Sequence, residues 1–433
     1  MTRRSRLSQR GGRGNDRRSR PYGASDITGH KSERRARERG VGSRRTEDGV
    51  GLATTPDPRS RDNHGVLNLR RLAQTSTLLA ILSIPLLGQE AATPVQGERH
   101  VFTIERFTFE SGATVPNVQV VYGTYGKLNA NRDNVILLPS HYMADFHGYE
   151  RWMGAGNALD PAKSFLIATE LFGNGHSSSP SNTAEPFHGP RFPVATIRDN
   201  VEAVHQLLLS LGITHLRAVA GFSMGAEQAF QWAVSYPDFM DRIVATSGTA
   251  KCWPHGVVRL EAQIAAIALD PAFKGGDYTV QPKQGVELFG LVWTGWLFSQ
   301  EWWRKELWHQ MTPPGTTFET FLSSMRKDFI PGADANDLIL QARTWEHHDV
   351  GATRGFDGNI EKALASIKVP VLYMPSETDL YFPVTDARYE ARFIPHVTLT
   401  PVPSLWGHPA GIGISAEDKK FVNEKIAAFL AGR

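Results

Sequence analysis

The sequence has 433 residues, of which 41% are apolar, so it can form one large or two ordinary domains with a sizeable core. The net charge of +3 is unevenly distributed. Residues 1–65 carry 17 Lys and Arg against 8 Asp and Glu, whereas residues 66–433 carry 30 against 36. The body is mildly acidic, so we expect no nucleic-acid partner for it. The single cysteine, Cys252, excludes an intramolecular disulfide.

Residues 1–65 form an arginine-rich tail with almost no aromatic or aliphatic periodicity. Such a segment cannot bury enough surface to offset its chain entropy, so we expect it to be disordered. An alternative is that residues 1–65 are not translated and that translation begins near Val66.

Residues 66–95 have the three parts of an export signal. The pair Arg70-Arg71 precedes a mostly apolar run at 75–88 and a small-residue exit at Ala91-Ala92, and the whole resembles a twin-arginine signal. The run is short and interrupted by Pro85, so no stable membrane insertion is expected. An uncleaved anchor and a plain linker are the alternatives. The protein is periplasmic or secreted if the signal is real, and cytoplasmic otherwise.

Residues 96–433 have the pattern of a globular α/β domain. Short apolar runs predict strands at 102–110, 119–125, 134–139, 164–169, 216–222, 242–247, 369–375 and 397–401. Helices are predicted at 197–211, 226–236 and 415–430. This alternation predicts a mostly parallel, doubly wound sheet.

A helical insertion from about residue 253 to residue 345 interrupts this alternation. It contains large aromatic residues and little strand signal, so it is most simply a lid over the active-site end of the sheet. Its aromatic residues either line an acyl or cofactor channel or form the core of the lid itself. They include Trp293, Trp296, Phe298, Trp302, Trp303 and Trp308.

The central motif is Gly221-Phe222-Ser223-Met224-Gly225, which joins a predicted strand to a predicted helix. Gly-x-Ser-x-Gly in this context is typical of a nucleophile elbow, whose strained turn presents the serine at the mouth of the sheet. Together with the alternation of strands and helices, this motif predicts an α/β-hydrolase fold with a helical lid.

A serine nucleophile needs a histidine base and a carboxylate that fixes the histidine tautomer. In α/β-hydrolases the acid follows the serine in sequence and the histidine follows the acid. Asp379 and His408 each follow a predicted strand in that order, so we predict Ser223, Asp379 and His408 as the triad. Glu377 and Asp386 are the rival acids.

The oxyanion of an acyl-transfer intermediate needs hydrogen-bond donors as well. One predicted donor is the N–H of Met224, at the amino end of the helix after Ser223. The second is the N–H of Met143, in the loop after the strand that ends near residue 139. The remaining histidines, including His309 and His347-His348, have no metal-ligand spacing, so no metal site is predicted.

Residues 119–250 resemble the homoserine O-acetyltransferase family of the α/β-hydrolase superfamily. The shared motifs are Tyr122-Gly123-Thr124, Gly154-Ala155-Gly156-Asn157-Ala158-Leu159-Asp160, Leu171-Phe172-Gly173-Asn174-Gly175, Ser177-Ser178-Ser179-Pro180, Phe192-Pro193-Val194-Ala195-Thr196-Ile197-Arg198-Asp199, the elbow, and Trp232-Ala233-Val234-Ser235-Tyr236-Pro237. The resemblance implies acyl transfer through an acyl-Ser223 intermediate to a hydroxyl acceptor. No bound cofactor is implied; acetyl-CoA or another acyl-CoA would be a co-substrate. Small-molecule donors and acceptors and a homodimer are also implied by this analogy.

Three departures from the family pattern make homoserine a doubtful acceptor. Pro409 follows His408 where the family has an aspartate, and the segment 293–299 replaces a Thr-Tyr-Arg-Ser-like segment with an arginine. Ala226 follows the elbow where the family has a second glycine. Without the aspartate and the arginine a zwitterionic acceptor loses charge-assisted hydrogen bonds worth about 1.5–3 kcal/mol each. Two reactions stay open: O-acyl transfer to another alcohol, and carboxylester hydrolysis with water as acceptor.

Overall fold

The computed structural model describes residues 95–327 and 330–432. The predicted tail at 1–65 lies outside these residues, as does nearly all of the signal-like segment at 66–95. No helix among the described residues combines the length and the apolar content needed to cross a membrane.

Within residues 95–327 and 330–432, eight strands form one sheet in the spatial order β1-β2-β4-β3-β5-β6-β7-β8. The strands are β1 Glu98–Thr108, β2 Thr114–Tyr125, β3 Val135–Pro139, β4 Phe165–Thr169, β5 Ala218–Phe222, β6 Ile243–Thr246, β7 Val371–Met374 and β8 Val397–Leu399. The β1–β2 and β2–β4 pairs are antiparallel and all other pairs are parallel. The predicted mostly parallel, doubly wound α/β sheet is therefore confirmed.

The described residues also form ten α-helices. They are α1 Ile197–Ser210, α2 Met224–Ser235, α3 Pro254–Ala268, α4 Lys283–Leu297, α5 Gln300–Arg304, α6 Phe318–Lys327, α7 Ala335–Glu346, α8 Ile360–Ala365, α9 Val384–Glu390 and α10 Ala416–Leu430. Helix α1 begins with a capping box between Thr196 and Asp199, which satisfies two backbone N–H groups at its start.

The sheet is buried on both faces, and alternate side chains of each central strand belong to different clusters. Val135 and Leu137 of β3 pack in a cluster that includes α1 and α2, while Ile136 and Leu138 pack in a cluster that includes α10. This is why the central strands read as continuous apolar runs rather than as an alternating pattern.

Helices α3 to α7 occupy residues 254–346 between β6 and β7. Four aromatic side chains, Phe298, Trp302, Trp308 and Phe321, form a separate cluster there, with Phe298 stacked on Trp302 at a ring-centroid distance of 3.8 Å. These residues form a core of the inserted helices. Trp293 instead belongs to the main cluster, close to the loops that follow β3 and β7.

Candidate active site

The turn between β5 and α2 holds Ser223 in a conformation that few non-glycine residues adopt, with φ 58° and ψ −126°. Two glycines make this turn sterically feasible. A Cβ on Gly221 would lie 1.9 Å from the carbonyl oxygen of Gly225, and a Cβ on Gly225 would lie 2.3 Å from the carbonyl oxygen of Pro139. The Gly-x-Ser-x-Gly pattern is thus explained by two close backbone approaches.

The structure brings the three predicted side chains together. His408 Nε2 lies 2.9 Å from Ser223 Oγ, and His408 Nδ1 lies 2.8 Å from Asp379 Oδ2. Because a carboxylate only accepts hydrogen bonds, the proton on Nδ1 faces Asp379, and Nε2 is left to accept the Ser223 hydroxyl proton. All three residues are at most 5% exposed. This geometry permits proton transfer from the serine hydroxyl to the imidazole.

The second carboxylate oxygen of Asp379 is held by the backbone of its own loop. Asp379 Oδ1 accepts the N–H of Tyr381 at 2.7 Å and the N–H of Phe382 at 3.1 Å. The rival acids lie elsewhere. Glu377 forms a surface ion pair with Arg388 at 3.0 Å. Asp386 lies in the first turn of α9, where burial raises its pKa.

The two predicted oxyanion donors differ in availability. Met224 is the first residue of α2, so its N–H has no acceptor within the helix. The N–H of Met143 donates to Gln341 Oε1 at 2.6 Å, and Gln341 Nε2 donates to the carbonyl oxygen of Phe172 at 3.1 Å. In this arrangement Gln341 of α7 accepts the hydrogen bond of the Met143 N–H, so this N–H is not available to an oxyanion. The role of Met143 therefore stays a prediction that requires Gln341 to release it.

A second hydrogen bond joins α7 to the same loop, because Tyr142 Oη donates to the carbonyl oxygen of Leu338 at 2.5 Å. His141, one residue earlier, is half-buried next to Phe222, with a ring-centroid distance of 5.1 Å. Burial and the nearby His408 lower the pKa of His141 to about 3, so it is neutral at physiological pH and is a poor proton acceptor.

Sequence reasoning missed three residues near the site: Arg259, Gln341 and Tyr381. Arg259 is 1% exposed, and its guanidinium carbon lies 4.3 Å from the ring centroids of both Trp345 and Tyr381. The sequence did contain a signal for Arg259. Arg259 lies with Gln263 among apolar residues of one helix, which would have indicated a buried polar pair; the apolar residues are Leu260, Ile264 and Ile267. Gln341 and Tyr381 left no comparable signal, since their contacts are tertiary.

The described part of the chain has no cluster of three or more His, Cys, Asp or Glu side chains suited to a metal ion. Of the remaining histidines, His309 and His347 are on the surface, and His348 is buried with its pKa lowered to about 3 by burial.

Comparisons with known proteins agree with this architecture. Residues 134–412 match the family described as alpha/beta hydrolase fold. An ethyl acetate hydrolase from Pseudomonas veronii is 34% identical over 343 residues, covering 77% of this chain and 96% of that protein. A homoserine O-acetyltransferase from Trichormus variabilis is 32% identical over 317 residues, covering 70% and 87%.

Among solved structures, an acetylester hydrolase from Corynebacterium glutamicum superposes with a TM-score of 0.74 and 31% identity. The match covers 77% of this chain and 96% of that one. A hydrolase and an acetyltransferase thus have similar sequence identity to this chain, 34% and 32%. The chain belongs to the α/β-hydrolase fold family and is an acyl-transfer or ester-hydrolysing enzyme of its homoserine O-acetyltransferase-like branch.

Proposed function

We propose that this protein is a carboxylester hydrolase for esters of short acyl groups, with Ser223 as nucleophile, His408 as general base and Asp379 as the acid of the triad. The observation that carries the proposal is the continuous hydrogen-bonded series from Ser223 Oγ through His408 to Asp379, at 2.9 and 2.8 Å.

In the first half-reaction Ser223 Oγ attacks the ester carbonyl carbon while its proton passes to His408 Nε2. The Asp379 carboxylate stabilises the resulting imidazolium. The N–H of Met224 donates to the oxyanion of the tetrahedral intermediate at the positive end of α2. Collapse of that intermediate releases the alcohol, which takes the proton from His408, and leaves an acyl-Ser223 ester. Water then attacks this ester with His408 as base, and the carboxylic acid and free Ser223 are formed.

Two features of the chain favour water over an amino-acid acceptor. Pro409 follows His408, and the segment 293–299 carries no cation. An ammonium or a carboxylate on the acceptor would therefore lose ionic partners that matter for its affinity. The predicted export signal supports the same choice, because acyl-CoA is scarce outside the cytoplasm.

A short acyl group is supported by the names of two relatives, an ethyl acetate hydrolase and an acetylester hydrolase.

The second candidate function is O-acyl transfer from acetyl-CoA or another acyl-CoA to an alcohol other than homoserine. It uses the same acyl-Ser223 intermediate and is favoured by the 32% identity to a homoserine O-acetyltransferase. By the same relationship the protein would act as a homodimer on small-molecule donors and acceptors.

The test compares p-nitrophenyl acetate, butyrate and octanoate as substrates of the wild-type protein, with and without added alcohols, alongside consumption of acetyl-CoA. Hydrolysis that is fastest for acetate and unchanged by alcohols supports the hydrolase. Acetyl-CoA consumption that depends on an added alcohol and exceeds ester hydrolysis would reject it in favour of the transferase.

A further inference from the structure

Arg259 of α3 is a buried cation that contacts the loop following Asp379. Its guanidinium carbon lies 4.3 Å from the ring centroid of Tyr381 and 4.3 Å from that of Trp345, and 5.6 Å from that of Trp293. Its Nη1 donates to Gln263 Oε1 at 2.6 Å. A cation held between aromatic faces in a desolvated site has a strong electrostatic preference for that position.

Tyr381, which Arg259 contacts, touches two members of the triad. Its backbone N–H donates to Asp379 Oδ1 at 2.7 Å, and its ring lies 4.7 Å from the His408 ring. Its hydroxyl donates to the carbonyl oxygen of Trp293 in α4 at 2.8 Å. A displacement of Tyr381 would therefore shift both the carboxylate and the imidazole relative to Ser223.

The charged and titratable groups around Arg259 come from four segments. They are Glu227 one turn after Ser223, Cys252 after β6, Tyr142 after β3, and Asp379 with Tyr381 after β7. Among the described residues, both carboxyl oxygens of Glu227 and the Nε and Nη2 groups of Arg259 are buried without a hydrogen-bond partner. Arg259 is thus not neutralised by a direct ion pair, so its charge acts on the aromatic faces and the surrounding loops.

We propose that Arg259 is a positioning residue for the triad. Through Tyr381 it fixes the loop that carries Asp379 and the face against which His408 packs, and so it sets the reactivity of Ser223. The proposal rests on the assignment of Ser223, His408 and Asp379 made above, but it does not depend on whether water or an alcohol accepts the acyl group.

Two substitutions of Arg259 distinguish the effect of its charge on the triad from the effect of its packing between the rings. Arg259→Met keeps a long side chain between the rings and removes the charge, although Gln263 Oε1 then loses its hydrogen-bond donor. Arg259→Lys keeps the charge and loses the planar guanidinium group that packs between the rings. Arg326→Met is the matched control. Arg326 belongs to α6 and pairs with Glu287 at 3.3 Å on the surface, with a 46% exposed side chain.

The readout is the second-order rate at which a fluorophosphonate probe labels Ser223, supported by kcat and KM for p-nitrophenyl acetate per titrated site. In the labelling step Ser223 Oγ bonds to phosphorus, fluoride leaves, and the hydroxyl proton passes to His408 Nε2. This rate reports activation of the serine without reference to the natural acceptor. Thermal unfolding of each variant is measured in parallel.

We expect Arg259→Met to lower the labelling rate and kcat by about ten- to a hundredfold, because small misplacements in a triad have effects of this size. KM should stay within about twofold, and Arg259→Lys should remain within about threefold of wild type. The proposal is overturned if Arg259→Met labels within twofold of wild type, or if Arg259→Lys is as slow as Arg259→Met. Should Arg259→Met not fold, Arg259→Gln takes its place under the same criteria. Failure of wild-type ester hydrolysis would overturn the proposed function alone.

Discussion

Replacing Asp379 by Asn should abolish most of the activity through a change of histidine tautomer. Asp379 Oδ1 accepts the N–H groups of Tyr381 and Phe382, at 2.7 and 3.1 Å. An asparagine keeps both bonds only by placing its oxygen at that position, which turns its NH₂ group toward His408 Nδ1. Nδ1 must then accept, so the proton moves to Nε2 and faces Ser223 Oγ. An imidazole in this tautomer cannot take the serine proton.

The expected loss is about 10⁴-fold in kcat, or ~5.4 kcal/mol of transition-state stabilisation. The measurement is the steady-state hydrolysis of p-nitrophenyl acetate, normalised to folded protein by near-ultraviolet circular dichroism. Glu377→Gln is the matched control: it makes the same chemical change on the surface two residues away, and should keep kcat within about twofold. Asp379→Asn with more than a tenth of wild-type kcat, or an equal loss in Glu377→Gln, would refute the tautomer argument.

Three further predictions concern the surroundings of the triad. Gly225→Ala should cost about 3 kcal/mol in urea unfolding, since its Cβ would lie 2.3 Å from the Pro139 carbonyl oxygen; a cost below about 1 kcal/mol would contradict the close approach. Burial raises the pKa of Asp337 to about 7, so the folded state binds this proton more tightly than the unfolded chain. Its contribution to the free energy of unfolding should fall by ~4 kcal/mol between about pH 3 and pH 8, a fall that Asp337→Asn should lack. Gln341→Leu frees the Met143 N–H, so kcat for ester hydrolysis should stay level or rise, whereas a tenfold decrease would count against Met143 as an oxyanion donor.

The core fold and the order of the triad could be predicted because each has a local signal. The parallel strands are continuous apolar runs. In the Gly-x-Ser-x-Gly pattern, both glycine positions lie so close to neighbouring backbone that a side chain would clash there. Asp379 and His408 follow strands whose carboxyl ends meet at one edge of the sheet, so strand order alone placed them near Ser223.

The contacts between the inserted helices and the site could not be predicted in this way. Gln341 reaches Met143 across 198 positions of the sequence, and the Arg259 contact with Tyr381 joins α3 to the loop after β7. Such contacts depend on how the helices pack over the sheet, and periodicity within a helix does not specify its partner. The sequence therefore predicted three side chains that lie together in the structure, while the contacts of Arg259 and Gln341 with the neighbouring loops became visible only in the structure.

The proposed mechanism requires that an acyl group resides on Ser223 during turnover. The most direct test is rapid quenching of the reaction with p-nitrophenyl acetate, followed by mass spectrometry of the intact protein and its peptides. We expect a single acetyl group on the Ser223 hydroxyl that accumulates before the steady state and is absent from Ser223→Ala. An acetyl group on a different residue, or wild-type turnover by Ser223→Ala, would contradict the proposed mechanism.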